Sequence, residues 1–188
     1  MMHGRIWFPG NPWPNGHRIA EFEWTSRTDH ENRTWFDLSL VTADYDEEGY
    51  PPESDEDEVD DFASPIAWTN YHRCTLSSTA WEDATGILAA GPGEPVRLDQ
   101  PLTLAADPLP PADPDSDPAF HVYLLGHDST ADHRIQFQPM DAGGFDIVWD
   151  GRLALTYAGE EEFRYTFHAE ISGVDLPSSG PRQVPLPY

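Results

Sequence analysis

The sequence contains no lysine and a single cysteine, Cys74. One thiol rules out an internal disulfide framework and agrees with a reducing compartment. Positive charge is scarce: ten arginines face 34 Asp and Glu, for a formal charge of -24 over 188 residues. Nucleic-acid binding begins with a basic patch that displaces counterions, so DNA and RNA are excluded as direct ligands. The same sign disfavours anionic membrane surfaces, and no stretch approaches the roughly 18 apolar residues that span a bilayer. The opening segment Met1–Pro9 has no basic stretch leading into an apolar run, so no secretory signal is expected and a cytoplasmic location is.

Motifs are equally scarce. There is no phosphate-cradling loop, no dinucleotide fingerprint and no nucleophile elbow, so nothing implies a cofactor or marks an enzyme. No segment of ten or more residues carries the 3.6-residue stripe of a substantial helix.

What is present is aromatic and strand-like. Seven Trp, seven Tyr and nine Phe can each bury about 150 to 250 Å², enough for one domain over residues 1–188. Segments alternate apolar and polar residues, the period of a strand with one buried face. Ala20, Phe22 and Trp24 share a side, as do Phe36, Leu38 and Leu40. Later in the chain Ile135 pairs with Phe137, Phe145 with Ile147 and Trp149, and Phe163 with Tyr165, Phe167, Ala169 and Ile171. Asp150-Gly151 has the composition of a two-residue hairpin turn, which predicts strands 145–149 and 152–157 as antiparallel neighbours in a three-strand meander. One-sided apolar strands need a covering layer. The expectation is therefore an all-β fold, an antiparallel, jelly-roll-like β-sandwich, with a closed β-barrel as the alternative.

Two segments break the pattern. Residues 44–61 form an acidic loop, with seven acids in the nine positions Glu53–Asp61, expected to be extended or disordered by self-repulsion. Residues 107–118 hold five prolines and read as a surface loop.

Candidate sites follow from side-chain chemistry. The run Trp68–Trp81 is rich in interface anchors, and in an extended strand Trp68, Asn70, His72, Cys74 and Leu76 share one side. Trp68, Tyr71, His72, Arg73 and Trp81, joined by Arg164, Thr166, His168 and Glu170 on a later strand face, make the predicted surface for a protein partner. Its ordinary counterpart is an aromatic core with a polar strand face. A homodimer through open strand edges is a further possibility. Trp7, Trp13 and Trp81 are candidate platforms for a carbohydrate. His121, His127, Asp128 and His133 are candidate metal ligands, of usable chemistry but without dedicated spacing. Asp44, Asp46, Glu48, Gly49 and Asp55 imitate a calcium-loop spacing imperfectly. His72 beside Cys74 permits an imidazole-assisted thiolate, with no third group to orient it.

Overall fold

A computed structural model describes residues 2–51, 60–113 and 115–179. Eight strands close into an antiparallel barrel: β1 (His3–Trp7), β2 (His17–Thr28), β3 (Thr34–Thr42), β4 (Thr75–Ser77), β7 (His121–Tyr123), β8 (His127–Pro139), β9 (Phe145–Ala154) and β10 (Tyr165–Val174). Around the wall they run β1-β2-β3-β4-β7-β8-β9-β10, and β10 pairs back onto β1. Three strands lie outside the ring: β5 (Ile87–Ala90) beside the start of β3, β6 (Leu102–Ala106) beside the second half of β8, and the two-residue β11 (Ser178–Ser179), parallel to β2.

The barrel replaces the expected sandwich. A sandwich has two sheets with free edges, whereas β2 pairs both with β1 (Arg5↔Arg18) and with β3 (Trp24↔Leu38), which carries the hydrogen bonding around the corner. Register shifts at Ile19/Glu21, Ala131/Arg134 and Ile171/Val174 add the local bend and twist that curl long strands. The apolar faces read from the sequence therefore converge on one interior. That interior is filled by side chains, as suits eight strands: Leu38, Ile135, Trp149, Leu153 and Phe167 are all buried. Fully burying one such side chain stabilises by roughly 1.5 to 3 kcal/mol. The exposed arginine pairs are screened by water and add little, so packing and not surface charge holds the fold.

The hairpin at Asp150-Gly151 is not formed; β9 runs straight through it. Gly151 answers to packing instead. A Cβ there would stand 2.4 Å from Cε1 of Phe167 on the neighbouring strand, and glycine inside a strand marks such a close approach. The meander is accordingly β8-β9-β10, with the chain turning at Gly143-Gly144.

The predicted strand through Trp68 is also absent. Pro65–Tyr71 is a seven-residue helix, α1. Ser64 caps it by accepting the Ala67 N–H, and Pro65 occupies the first turn, where its missing N–H costs nothing. His72 ends it at φ 65°. Of the acidic loop, residues 52–59 lie outside the described residues. In its first part Glu47 pairs with Arg18 and Glu48 with Arg5.

Candidate functional site

The two ends of the barrel are stoppered differently. At the far end Trp24 stacks on Phe137 with ring centres 5.0 Å apart and meets Phe36 and Phe145 edge-on. At the other end α1 lays Trp68 across the opening, flanked by Phe8, Trp13, Phe62 and Tyr45. Both indoles of this plug are tied to backbone: Trp68 donates to the carbonyl of Phe62 at 2.7 Å and Trp13 to that of Gly49 at 3.1 Å. His17 is stacked on Trp68, 5.7 Å away, with Asn11 2.9 Å from its Nε2. Burial, with Arg5 nearby, holds its imidazole down to about 4.

Beside the plug lies a cleft of about 370 Å³. Ile66, Asn70 and Tyr71 of α1 form one wall, and Tyr157 of the short 3-10 turn Thr156–Ala158 forms the other, with Leu125 and Asp128 beneath. The rings of Tyr71 and Tyr157 stand 6.2 Å apart at 78°. Tyr157 reaches this place because Gly126, at φ 127°, has no Cβ; one would lie 2.4 Å from the tyrosine Cγ. Ile66 is 57% exposed and Tyr157 63%, so the rim presents apolar surface to solvent.

Asp128 organises the floor. Leu155, at the start of the 3-10 turn, has no side chain able to cap it. Asp128 does so from β8: one carboxylate oxygen accepts the Tyr157 N–H at 3.2 Å and the other the Leu125 N–H at 2.9 Å. Burial raises its pKa, against the pull of those two hydrogen bonds and of His127. No arginine or lysine pairs with this carboxylate among the described residues. Arg5, Arg18, Arg27, Arg33, Arg73, Arg97 and Arg164 are each engaged by another acid, while Arg134 and Arg152 stand on the outer face of β8 and β9.

The structure distributes the sequence candidates widely. Tyr71 lies in the cleft and His72 just beyond it, exposed. Trp68 is completely buried in the plug, out of a partner's reach. Arg73 turns to Asp44 at 3.1 Å. Arg164 pairs with Glu160 and lies over the ring of Tyr165. His168 is on the outer wall between Asp150, 2.7 Å from Nδ1, and Glu170, 3.2 Å from Nε2. Burial lowers its pKa, but the two carboxylates outweigh that and the net shift is upward.

The four metal candidates are not gathered. Asp128 and His133 face inward; His121 and His127 face outward and approach Trp81 instead. His121 places Nε2 2.9 Å from Asp83, off the axis of a hydrogen bond. Among the described residues no group of three or more His, Cys, Asp or Glu is arranged to hold a metal. His133 is a core residue. The Trp149 indole donates to its Nδ1 at 3.1 Å, which makes it the Nε2–H tautomer, and burial lowers its pKa to about 3. The carbohydrate platforms are also scattered: Trp13 is in the plug, Trp7 packs on His168 and Trp81 stands by β7 and β8 on the opposite side of the ring. Burial raises the Cys74 thiol far above its usual range, and His72, beyond the end of α1, is not its partner.

Ile66, Leu125 and Tyr157 belong to no motif and were not among the sequence candidates, and Asn70 entered only as one position of the expected strand face. The one available signal was Ser64-Pro65 followed by Trp68 and Tyr71 at three-residue spacing, the start of a short helix with a repeated inward face. No protein-family model, curated protein or solved structure matches the chain. No helix among the described residues is long and apolar enough to cross a membrane.

Proposed function

We propose that the chain is a binding module whose partner is a protein with a basic surface, and that the end cleft is where the partner is anchored. The carrying observation is the combination at one place of exposed Ile66 and Tyr157 with a buried carboxylate that has no arginine partner among the described residues. The strong single-sign charge supports the same reading, because it steers oppositely charged molecules toward the surface. Tyr and apolar side chains around a concavity supply the contact area on which most interface energy depends. The partner face is thereby narrower than the sequence suggested: it keeps Tyr71 and leaves Arg164 and His168 on the outer wall.

Retention of proteins from a cell extract on the immobilised chain, at low and high salt, tests this. A protein held at low salt, released at high salt and lost from a Tyr157→Ala column is the expected result. Failure to retain any protein at low salt, or retention indifferent to salt, overturns it.

A further inference from the structure

The cleft has a more specific character than an acidic patch. We propose that it takes the side chain of a partner's arginine, with the guanidinium over the Tyr71 and Tyr157 rings and facing Asp128; this deepens, and rests on, the partner-binding reading above.

Shape, lining and charge agree on that occupant. The two tyrosines form an edge-to-face pair, 6.2 Å apart, so a flat cation lies across the open side of the pair, against the exposed Tyr157 ring, and not between the rings. Attraction to an aromatic face requires the cation within about 6 Å of the ring centre. The space of about 370 Å³ falls near the lower end of small-ligand pockets, roughly 300 to 1,000 Å³, ample for one long side chain. Leu125 and Leu155 offer apolar surface to a methylene stem, and Asn70 offers an amide to an incoming donor.

The electrostatic case rests on what each carboxylate already does. Asp128 is 6% exposed and accepts two backbone N–H groups, which leaves lone pairs on both oxygens. Asp61, which lines the cleft and is exposed, makes no ion pair with any other described residue. A cleft lined by one sign of charge between low-dielectric walls concentrates the field. Guanidinium suits it better than ammonium, because it is planar, more weakly hydrated, stacks on aromatic rings and offers several donors at once.

Among the described residues no arginine of this chain fills the role: Arg164 is bound to Glu160 and Arg73 to Asp44. The proposed cation is a partner's.

Three capped tripeptides, Gly-Arg-Gly, Gly-Lys-Gly and Gly-citrulline-Gly, titrated into isotope-labelled full-length chain and followed by NMR, decide the matter. The arginine peptide is expected to produce saturable shifts confined to Asn70, Tyr71, Leu125, Asp128 and Tyr157. The lysine peptide should bind several-fold more weakly, and the citrulline peptide, which keeps the shape without the charge, should leave these resonances still. Asp61→Asn and Tyr157→Ala, both at exposed positions that leave the fold intact, are each expected to weaken the arginine peptide about three- to tenfold, the equivalent of one surface cation–π or charge contact. Shifts spread over the whole acidic surface, equal response to citrulline, or unchanged affinity in both variants would overturn the assignment. Partner retention that survives Asp61→Asn while the peptide leaves the cleft unmoved sinks the arginine anchor alone; absence of any salt-sensitive partner sinks the binding reading itself.

Discussion

The far end of the barrel and the plugged end are both closed by clustered aromatic rings, yet they differ in what those rings enclose. Trp24, Phe36, Phe137 and Phe145 meet with no titratable side chain among them. At the plugged end the same kind of cluster encloses His17, and Asp128 lies nearby under Tyr157. Burying such groups carries a desolvation cost that a purely apolar stopper avoids. Among the described residues the far end is sealed by rings without a titratable side chain, its one polar atom, the Trp24 indole N–H, donating to the Asp175 carbonyl. The titratable groups at the plugged end are what the binding proposal draws on.

Removing a ring from each end should make the sharpest contrast. Trp68→Ala and Phe137→Ala are each expected to cost about 3 to 5 kcal/mol in denaturant unfolding, as large-to-small core substitutions do. Only Trp68→Ala should also disturb the cleft, seen as altered Tyr71 and Tyr157 resonances in the fraction that stays folded. Equal disturbance from both variants would mean that the ends are not independent.

Acid should separate the ends next. The imidazole of His17 titrates near 4 in the folded chain against 6.5 when unrestrained, so below pH 6.5 the unfolded state takes up its proton first. Its contribution to stability is complete above pH 6.5 and is lost progressively as the pH falls toward 4; the interval corresponds to about 3 kcal/mol. His133, lowered further by burial, adds in the same direction. Hydrogen exchange at pH 5 should therefore lose protection around His17 and α1 before it does so around Trp24 and Phe137. His17→Phe should flatten part of the acid slope; an unchanged slope would rule out this histidine as its source.

The smallest effect is expected on the outer wall. His168, drawn upward by Asp150 and Glu170, packs 5.7 Å from Trp7. A charged imidazole beside an indole shifts its ring signals, so the Trp7 indole N–H resonance, followed by NMR, should titrate with a midpoint above 6.5. Asp150→Asn should move that midpoint down. The ion pairs at His168 are present below its unfolded pKa and lost as the pH rises through the folded one, so they stabilise in the direction opposite to His17.

The strands were legible in the sequence because period-two alternation is a local property, and Phe36, Leu38 and Leu40 or Phe145, Ile147 and Trp149 point inward as their spacing implies. Closure was not legible. It depends on β2 finding two neighbours and on bulges such as the one at Asp132, whose φ of 53° no alternation rule reveals. Asp150-Gly151 misled because a glycine required by the Phe167 ring and a glycine required by a turn look identical in sequence. Of the cleft, Tyr71 stood in the sequence as an interface candidate and Asp128 only as a metal candidate. Tyr157 and Ile66 are ordinary residues 91 positions apart, and only the tertiary fold brings them to one site.

The pairing of β1 with β10, His3 opposite Ser172, has a consequence for biosynthesis. The barrel's last seam joins residues 169 positions apart, so the ribosome must deliver everything from β1 to β10 before the ring can shut. Until then the growing chain carries two unmatched strand margins, the circumstance in which nascent β proteins are most exposed to mispairing.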